Sequence, residues 1–292
     1  MGGNVHDQHT FLDHRIAQEH AHFEQADESD PLSSILSIEF NTTELCNRTC
    51  VFCPRHDPKV FPNRQLAMTA KGAETIALEL ARNNYVGRIS FSGFGENFLN
   101  PEFLDIIGAF RKHLPHNVIE CNTNGDFLDQ STVNAVFERG LNLLYINLYD
   151  GEWQVEKFED LLKHIPTDKY KFRSHWSEDL GLFFNNRSGM ITWVDADSPV
   201  EQLKGKPCYY PFYKMFVDWN GDVLLCCNDW ARSRVVGNIM QQSLKDVWFS
   251  KAMSKVRNKL AKGDRSITPC ENCTVDGTKF GKRSFDIIQE IK

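Results

Sequence analysis

The sequence predicts an α/β protein, a parallel sheet wrapped by helices, followed by a smaller cysteine-rich unit. Short β-branched runs alternate with amphipathic helical stretches through the first half of the chain. The loops after those runs carry Gly, Asn and acidic residues, as loops at the carboxyl ends of parallel strands often do. Nine cysteines fall into clusters, with only Cys121 alone.

The elements follow in order. "ILSIEF" (residues 35–40) has the alternating look of a strand, and a three-cysteine loop follows it. Residues 68–84 read as an amphipathic helix that Thr69 can cap. "GRISFSG" (87–93) is a second strand, and residues 101–114 a helix with Pro101 in its first turn. "NVIECNTNG" (117–125) is a third strand, 129–140 a helix ended by Gly140, "LLYINLYDG" (143–151) a fourth strand, and 152–165 a fourth helix. Such βα alternation predicts a parallel sheet whose functional loops gather on one face. The pattern changes after about residue 175. "YKMFVDWNGDVLLCC" predicts a hairpin around Asn220-Gly221, the preferred type I′ pair. Residues 243–263 read as one helix with a serine cap and a terminal glycine.

Composition narrows the function classes. With 292 residues, 41% hydrophobic, 25% charged and a net charge of -6, the chain is an ordinary globular protein without the basic surface of a nucleic-acid binder. No apolar run approaches the roughly 18 residues of a membrane span. The N-terminus has neither the layout of a signal peptide nor a myristoylation pattern, which predicts a cytoplasmic location. Thiols there stay reduced, so clustered cysteines read as metal or iron–sulfur ligands. Residues 1–33 form a polar extension holding His6, His9, His14, His20 and His22. This reads as a solvated helix or arm, because the spacing does not guarantee a convergent metal site.

Cys46-Asn-Arg-Thr-Cys50-Val-Phe-Cys53 is the most informative segment. Three thiolates at these spacings hold three corners of a cubane cluster with one iron left open, or form a zinc knuckle with a distant fourth ligand. Cys208, Cys226, Cys270 and Cys273 supply four thiolates, suited to tetrahedral zinc or to a closed [4Fe–4S] cluster.

The CxxxCxxC loop after the first strand resembles that of the radical S-adenosylmethionine (SAM) enzymes, and "SGFGEN" (92–97) and "TNGD" (123–126) follow it in the family's order. The resemblance implies a partial (β/α) barrel over residues 34–200 and SAM bound to the open iron. Phe52 would lie near the adenine, Gly95 and Glu96 near the methionine amino group, and Thr123, Asn124 and Asn147 along the rest of the cofactor. Asn97 stands where the family usually has proline. The second cysteine group, with Gly221 five residues before Cys226, "VGNI" at 236–239 and a terminal CxxC, resembles the family's twitch/SPASM-like auxiliary-cluster domain. That implies a small α+β domain over 201–292 and two [4Fe–4S] clusters in all.

Within the family, the likeness is to members that oxidise a cyclitol hydroxyl. Arg187 of "NNRSG" matches an arginine beside the substrate hydroxyl there, while Asn228 and Asp229 fall where substrate contacts are expected. The resemblance implies a radical SAM dehydrogenase. A 5′-deoxyadenosyl radical takes hydrogen from a carbinol carbon of a sugar, cyclitol or nucleotide-sugar-like molecule. The auxiliary cluster accepts the second electron, and a flavodoxin or ferredoxin-type protein supplies reducing electrons. Cys227, adjacent to ligand Cys226, is either buried packing or a hydrogen donor, and the second role would make the enzyme an epimerase.

Overall fold

The computed structural model describes residues 5–6, 8–175, 185–193 and 200–291. Residues 1–4 of the polar extension, and residues 194–199 before the expected boundary at 200/201, lie outside them.

A two-residue strand, β1 (Val5–His6), precedes helix α1 (Gln8–Gln25). Four βα steps and a fifth strand then run β2 (Ser37–Phe40), α2 (Ala70–Arg82), β3 (Arg88–Phe91), α3 (Phe103–His113), β4 (Ile119–Thr123), α4 (Gln130–Glu138), β5 (Leu143–Leu148), α5 (Trp153–Leu161) and β6 (Tyr170–Ser174). Caps set several helix starts: Thr69 accepts from Gly72 N and Asp129 from Thr132 N. Helix α3 starts two residues beyond Pro101, because Glu102 takes the N-cap position.

The C-terminal part adds α6 (Tyr210–Tyr213), β7 (Lys214–Val217), β8 (Asp222–Leu224), β9 (Val235–Asn238), α7 (Leu244–Trp248), α8 (Lys251–Ala261) and α9 (Lys282–Glu290). Two expectations change here. The β7–β8 turn is not type I′, since Asn220 does not have positive φ and Gly221 alone is left-handed, at φ 83°. Gly221 N donates to Asp218 O and Asp218 N to Asp222 O, so the loop has three residues, with the glycine completing a bulge. The long helix is two, because the Ser250 side chain accepts from Met253 N and starts α8 afresh.

The nine strands of the described residues form one open sheet in the order β1-β6-β5-β4-β3-β2-β7-β8-β9. Pairing is parallel from β1 through β7 and antiparallel across β7–β8–β9. The hairpin of the cysteine-rich part therefore continues the barrel sheet through the β2–β7 pair, Ser37 to Phe40 against Lys214 to Val217.

Side chains alternate along each strand. Ile38, Phe40, Ile89, Phe91, Cys121, Leu144, Ile146, Phe172 and Met215 point outward and pack with the helices as the main core. The alternate positions, among them Glu39, Arg88, Ser90, Glu120, Asn122, Asn147, Arg173 and Lys214, face a cavity inside the curved sheet. A closed barrel of this type fills its interior with branched apolar residues. This interior is polar, which suits a binding site.

Helix α1 is not a solvated arm. Phe11, Leu12 and Arg15 wall the same cavity, and Phe23 is buried with Leu36, Tyr209, Tyr213 and Ile287. The polar composition misled because Arg15 is spent on a buried ion pair, its Nη1 2.9 Å from Glu120 Oε2.

A second set of charges locks the hairpin to the first cysteine loop. Arg232 pairs with both Glu44 and Asp218, whose side chains are each 2% exposed. Its guanidinium also lies over Phe94 and Phe61, 5.2 and 5.5 Å from their ring centres.

Candidate active site

The interior cavity has a volume of about 590 Å³, within the range of small-molecule sites. The three-cysteine loop closes one end. Cys46, Cys50 and Cys53 all face the cavity, joined there by Phe52, Gly95, Glu96, Thr123, Asn124, Asn147 and Arg187. The structure thus gathers these expected site residues at the carboxyl ends of the strands.

Local chemistry fixes each position. Gly95 has to be glycine, since a Cβ there would meet Thr43 O at 2.2 Å and Leu45 O at 2.8 Å. Glu96 is 3% exposed and accepts hydrogen bonds from Thr123 Oγ1 and Asn124 N, both at 2.8 Å. Burial raises its carboxyl to about 7, since those bonds only partly offset the desolvation. Asn147 donates from Nδ2 to Thr123 O and lies 3.0 Å through Oδ1 from His175 Nε2. Burial, with Arg173 and Arg187 nearby, lowers His175 to about 3, so its ring is neutral and Nε2 carries the proton.

Several contributors escaped the sequence reading. Phe52, Tyr149 and His175 form an aromatic stack, with centroids 5.9, 5.5 and 5.0 Å apart pairwise. Arg48 bonds both oxygens of Asp126 and both of Asp150, at 2.6 to 2.8 Å, tying the cysteine loop to the loops after β4 and β5. Polar residues at inward strand positions were the available signal for Arg173 and His175.

The adjacent cysteines part company. Cys227 faces the large cavity. Cys226 faces a second, small cavity together with Cys208, Cys270 and Cys273. The two thiols stay within hydrogen-bonding reach of each other, and Asn228 Nδ2 lies 3.6 and 3.8 Å from their sulfurs, so the two chambers adjoin at this step of chain. Asn228 borders the small cavity, and its Oδ1 lies 3.4 Å from Arg187 Nη1. Arg187 itself is left-handed at φ 47°, and its buried Nε has no protein partner among the described residues. Asp229 departs from expectation. It is 0% exposed, and its carboxylate accepts from Ser233 N, Ser233 Oγ and Arg234 N, which makes it a turn clamp out of reach of the cavity. Cys121 is core, as expected.

Both cysteine sets fit iron–sulfur ligation. Burial raises Cys50 to about 12, and the like charges of Cys53 and Cys46 add to it. Burial likewise raises Cys208 to about 11, against the opposing charge of Arg265. Gathered thiolates repel one another, and an iron–sulfur core relieves that repulsion. Arg265, held by Val275 O at 2.9 Å, stands beside the four-cysteine set as its cation.

Among the described residues no helix is long and apolar enough to cross a membrane.

Comparison with known proteins agrees with this geometry. Residues 40–173 match the radical SAM superfamily, and residues 208–274 match SPASM, an iron–sulfur cluster-binding domain. A curated relative, the S-adenosyl-L-methionine-dependent 2-deoxy-scyllo-inosamine dehydrogenase of Niallia circulans, is 28% identical over 246 residues, 84% of this chain and 94% of the relative. The crystal structure of BtrN in complex with AdoMet and 2-DOIA has a TM-score of 0.71 at 24% identity, covering 85% of this chain and 96% of that one. Native anSMEcpe with bound AdoMet has a TM-score of 0.56 at 12% identity, covering 87% and 96%. The two solved structures share the fold. The matched domains imply SAM and iron–sulfur clusters as cofactors. The chain carries a radical SAM domain followed by a SPASM iron–sulfur cluster-binding domain.

Proposed function

We propose that this enzyme oxidises a secondary alcohol of a small sugar- or cyclitol-like molecule to a ketone. The observation that carries the reading is the division at Cys226 and Cys227. A four-thiolate site, closed to substrate, adjoins the cavity where the radical is generated. When bound, SAM on the first cluster would supply the radical that removes the carbinol hydrogen, the second cluster would be a sink for the remaining electron, and the hydroxyl proton, acidic in the ketyl radical, would pass to solvent.

The protein positions the substrate. Arg187, whose Nε has no protein partner among the described residues, is suited to hold the carbinol oxygen and the ketone that replaces it. Arginine stays protonated, so its part is orientation and charge stabilisation rather than proton removal. Asn228 Oδ1 steers that guanidinium, and Cys227 contributes cavity wall. Phe52, Tyr149 and His175 offer a flat aromatic face for the adenine, while Glu96 offers an acceptor for the methionine ammonium. In this reading residues 34–200 generate the radical and 201–292 hold the second cluster. A flavodoxin or ferredoxin-type donor reduces the first cluster in the cytoplasm, where the thiols stay reduced.

The dehydrogenase relative supports oxidation over epimerisation. Anaerobically reconstituted enzyme is to be given SAM, a reductant and a panel of sugars and cyclitols. Loss of two hydrogens per product, with one 5′-deoxyadenosine formed, supports the reading. A product of unchanged mass that carries solvent deuterium would overturn it.

A further inference from the structure

The wall of the cavity beside helix α1 is built of guanidinium groups. Arg15 of α1, Arg88 of β3 and Arg173 of β6 meet there, with Arg187 at the side. Among the described residues the one carboxylate in ion-pair contact with them is Glu120, which Arg15 occupies at 2.9 Å; Glu39 and Glu19 lie farther off. Arg88 pairs with Gln18, and its buried Nε has no protein partner among the described residues. Arg173 has no carboxylate within ion-pair distance among the described residues. Its guanidinium lies 4.3 Å from the centre of the Phe11 ring, and that of Arg15 lies 4.8 Å from the same centre. Burial lowers Arg173 to about 10, and the like charges of Arg15 and Arg187 press it further that way.

The other charges on the wall do not answer this excess. Glu39 is taken by Lys214 at 2.7 Å, and Arg48 by its two aspartates. Burying cations without counter-charge is costly, so an arrangement of this kind is built for an anion that arrives. Guanidinium forks match phosphate and carboxylate oxygens in pairs. A protonated amine would meet like charge.

We propose that the substrate carries an anionic group, a phosphate or a carboxylate, which seats between Arg15, Arg88 and Arg173 beneath helix α1. This rests on the reading of the cavity as a site for a sugar- or cyclitol-like alcohol and narrows that class. The anion anchors one end of the molecule, so the carbinol to be oxidised lies toward Arg187 and the cysteine loop.

The test is equilibrium binding by calorimetry to the cluster-loaded, SAM-bound enzyme. Matched probes are myo-inositol, myo-inositol 1-phosphate, scyllo-inosamine, glucose and glucuronate. At least one anionic probe is expected to bind ~10-fold or more tighter than its neutral parent, with the amine weakest. The phosphate and carboxylate arms distinguish the two anions. Arg173→Gln is expected to erase the preference and Arg173→Lys to keep part of it, with iron content and circular dichroism unchanged. The proposal is overturned if the neutral or amine probes bind as tightly as both anions, a result that needs no variant. It is also overturned if the preference survives in a folded Arg173→Gln. An anionic probe that binds but leaves with its mass unchanged would sink the oxidation reading and leave this subsite standing.

Discussion

Replacing Arg232 with alanine tests whether the cysteine-rich part and the first cysteine loop are held together by buried charge. The wild-type guanidinium serves Glu44 and Asp218, both 2% exposed. Removing one partner of a buried pair costs ~3–5 kcal/mol, because the carboxylate left behind is unsolvated. Asp218 would keep Asn41 Nδ2 at 2.7 Å and Trp219 N at 2.9 Å, so most of the loss falls on Glu44 and the lower end of the range applies. The stacking over Phe61 and Phe94 adds roughly 0.5–1 kcal/mol. Residue 232 is left-handed at φ 53° with either side chain, so backbone strain cancels between them. At ~3 °C per kcal/mol, the variant should melt about 10 °C lower. Unfolding of the cluster-loaded protein is to be followed by circular dichroism and by visible cluster absorbance. Adding Glu44→Gln in the variant background should recover about 2 kcal/mol, since the orphaned charge is gone. A loss below about 1 kcal/mol, or no recovery with Glu44→Gln, would refute the reasoning.

Three further outcomes follow from the site. Cys226→Ser should lower reconstituted iron from about eight to about four atoms per chain, whereas Cys227→Ser should leave it unchanged; equal losses in both would contradict the two-chamber division. Gly95→Ala should destabilise by about 2–3 kcal/mol and weaken SAM binding, because the methyl group meets Thr43 O at 2.2 Å; melting and SAM calorimetry check it. Glu96 sets a pH dependence. Its folded value of about 7 lies above the ordinary 4.5, so the stability it contributes is full below pH 4.5 and is lost as pH rises through about 7. Pairing with the SAM ammonium requires the ionised form, so SAM binding near pH 6.5 should release a proton and strengthen as pH rises. Calorimetry in two buffers of different ionisation heat measures that proton, and a release that persists in Glu96→Gln would assign it elsewhere.

Much of this was legible in the residues. The spacing of Cys46, Cys50 and Cys53, the strand before them and the glycine–glutamate loop each carry their own chemistry, and they meet in space as the βα order requires. The four-cysteine set was legible for the same reason. Asp229 was not, because a carboxylate that clamps a turn and one that meets a ligand look alike until their donors are known. Helix α1 was misread because part of its polar face turns inward: Arg15 is read as solvent-facing until Glu120, far along the chain, is brought beside it. The alternation in "SIEF", "RISF" and "YKFRS" was visible, but polar residues on a strand ordinarily face water. Only the curvature of the sheet turns that face inward.

The continuous sheet has a consequence for electron transfer. The strand that leads to Cys46 is β2, and the strand that leads to Cys226 is β8, with β7 hydrogen-bonded between them. Two inter-strand steps span roughly 10 Å in the hydrogen-bonding direction. The strands leading to the two cysteine sets are therefore joined by backbone ladders rather than docked as two bodies across a hinge. A change in cavity shape on substrate binding leaves the hydrogen-bonded spacing of β2, β7 and β8 in place.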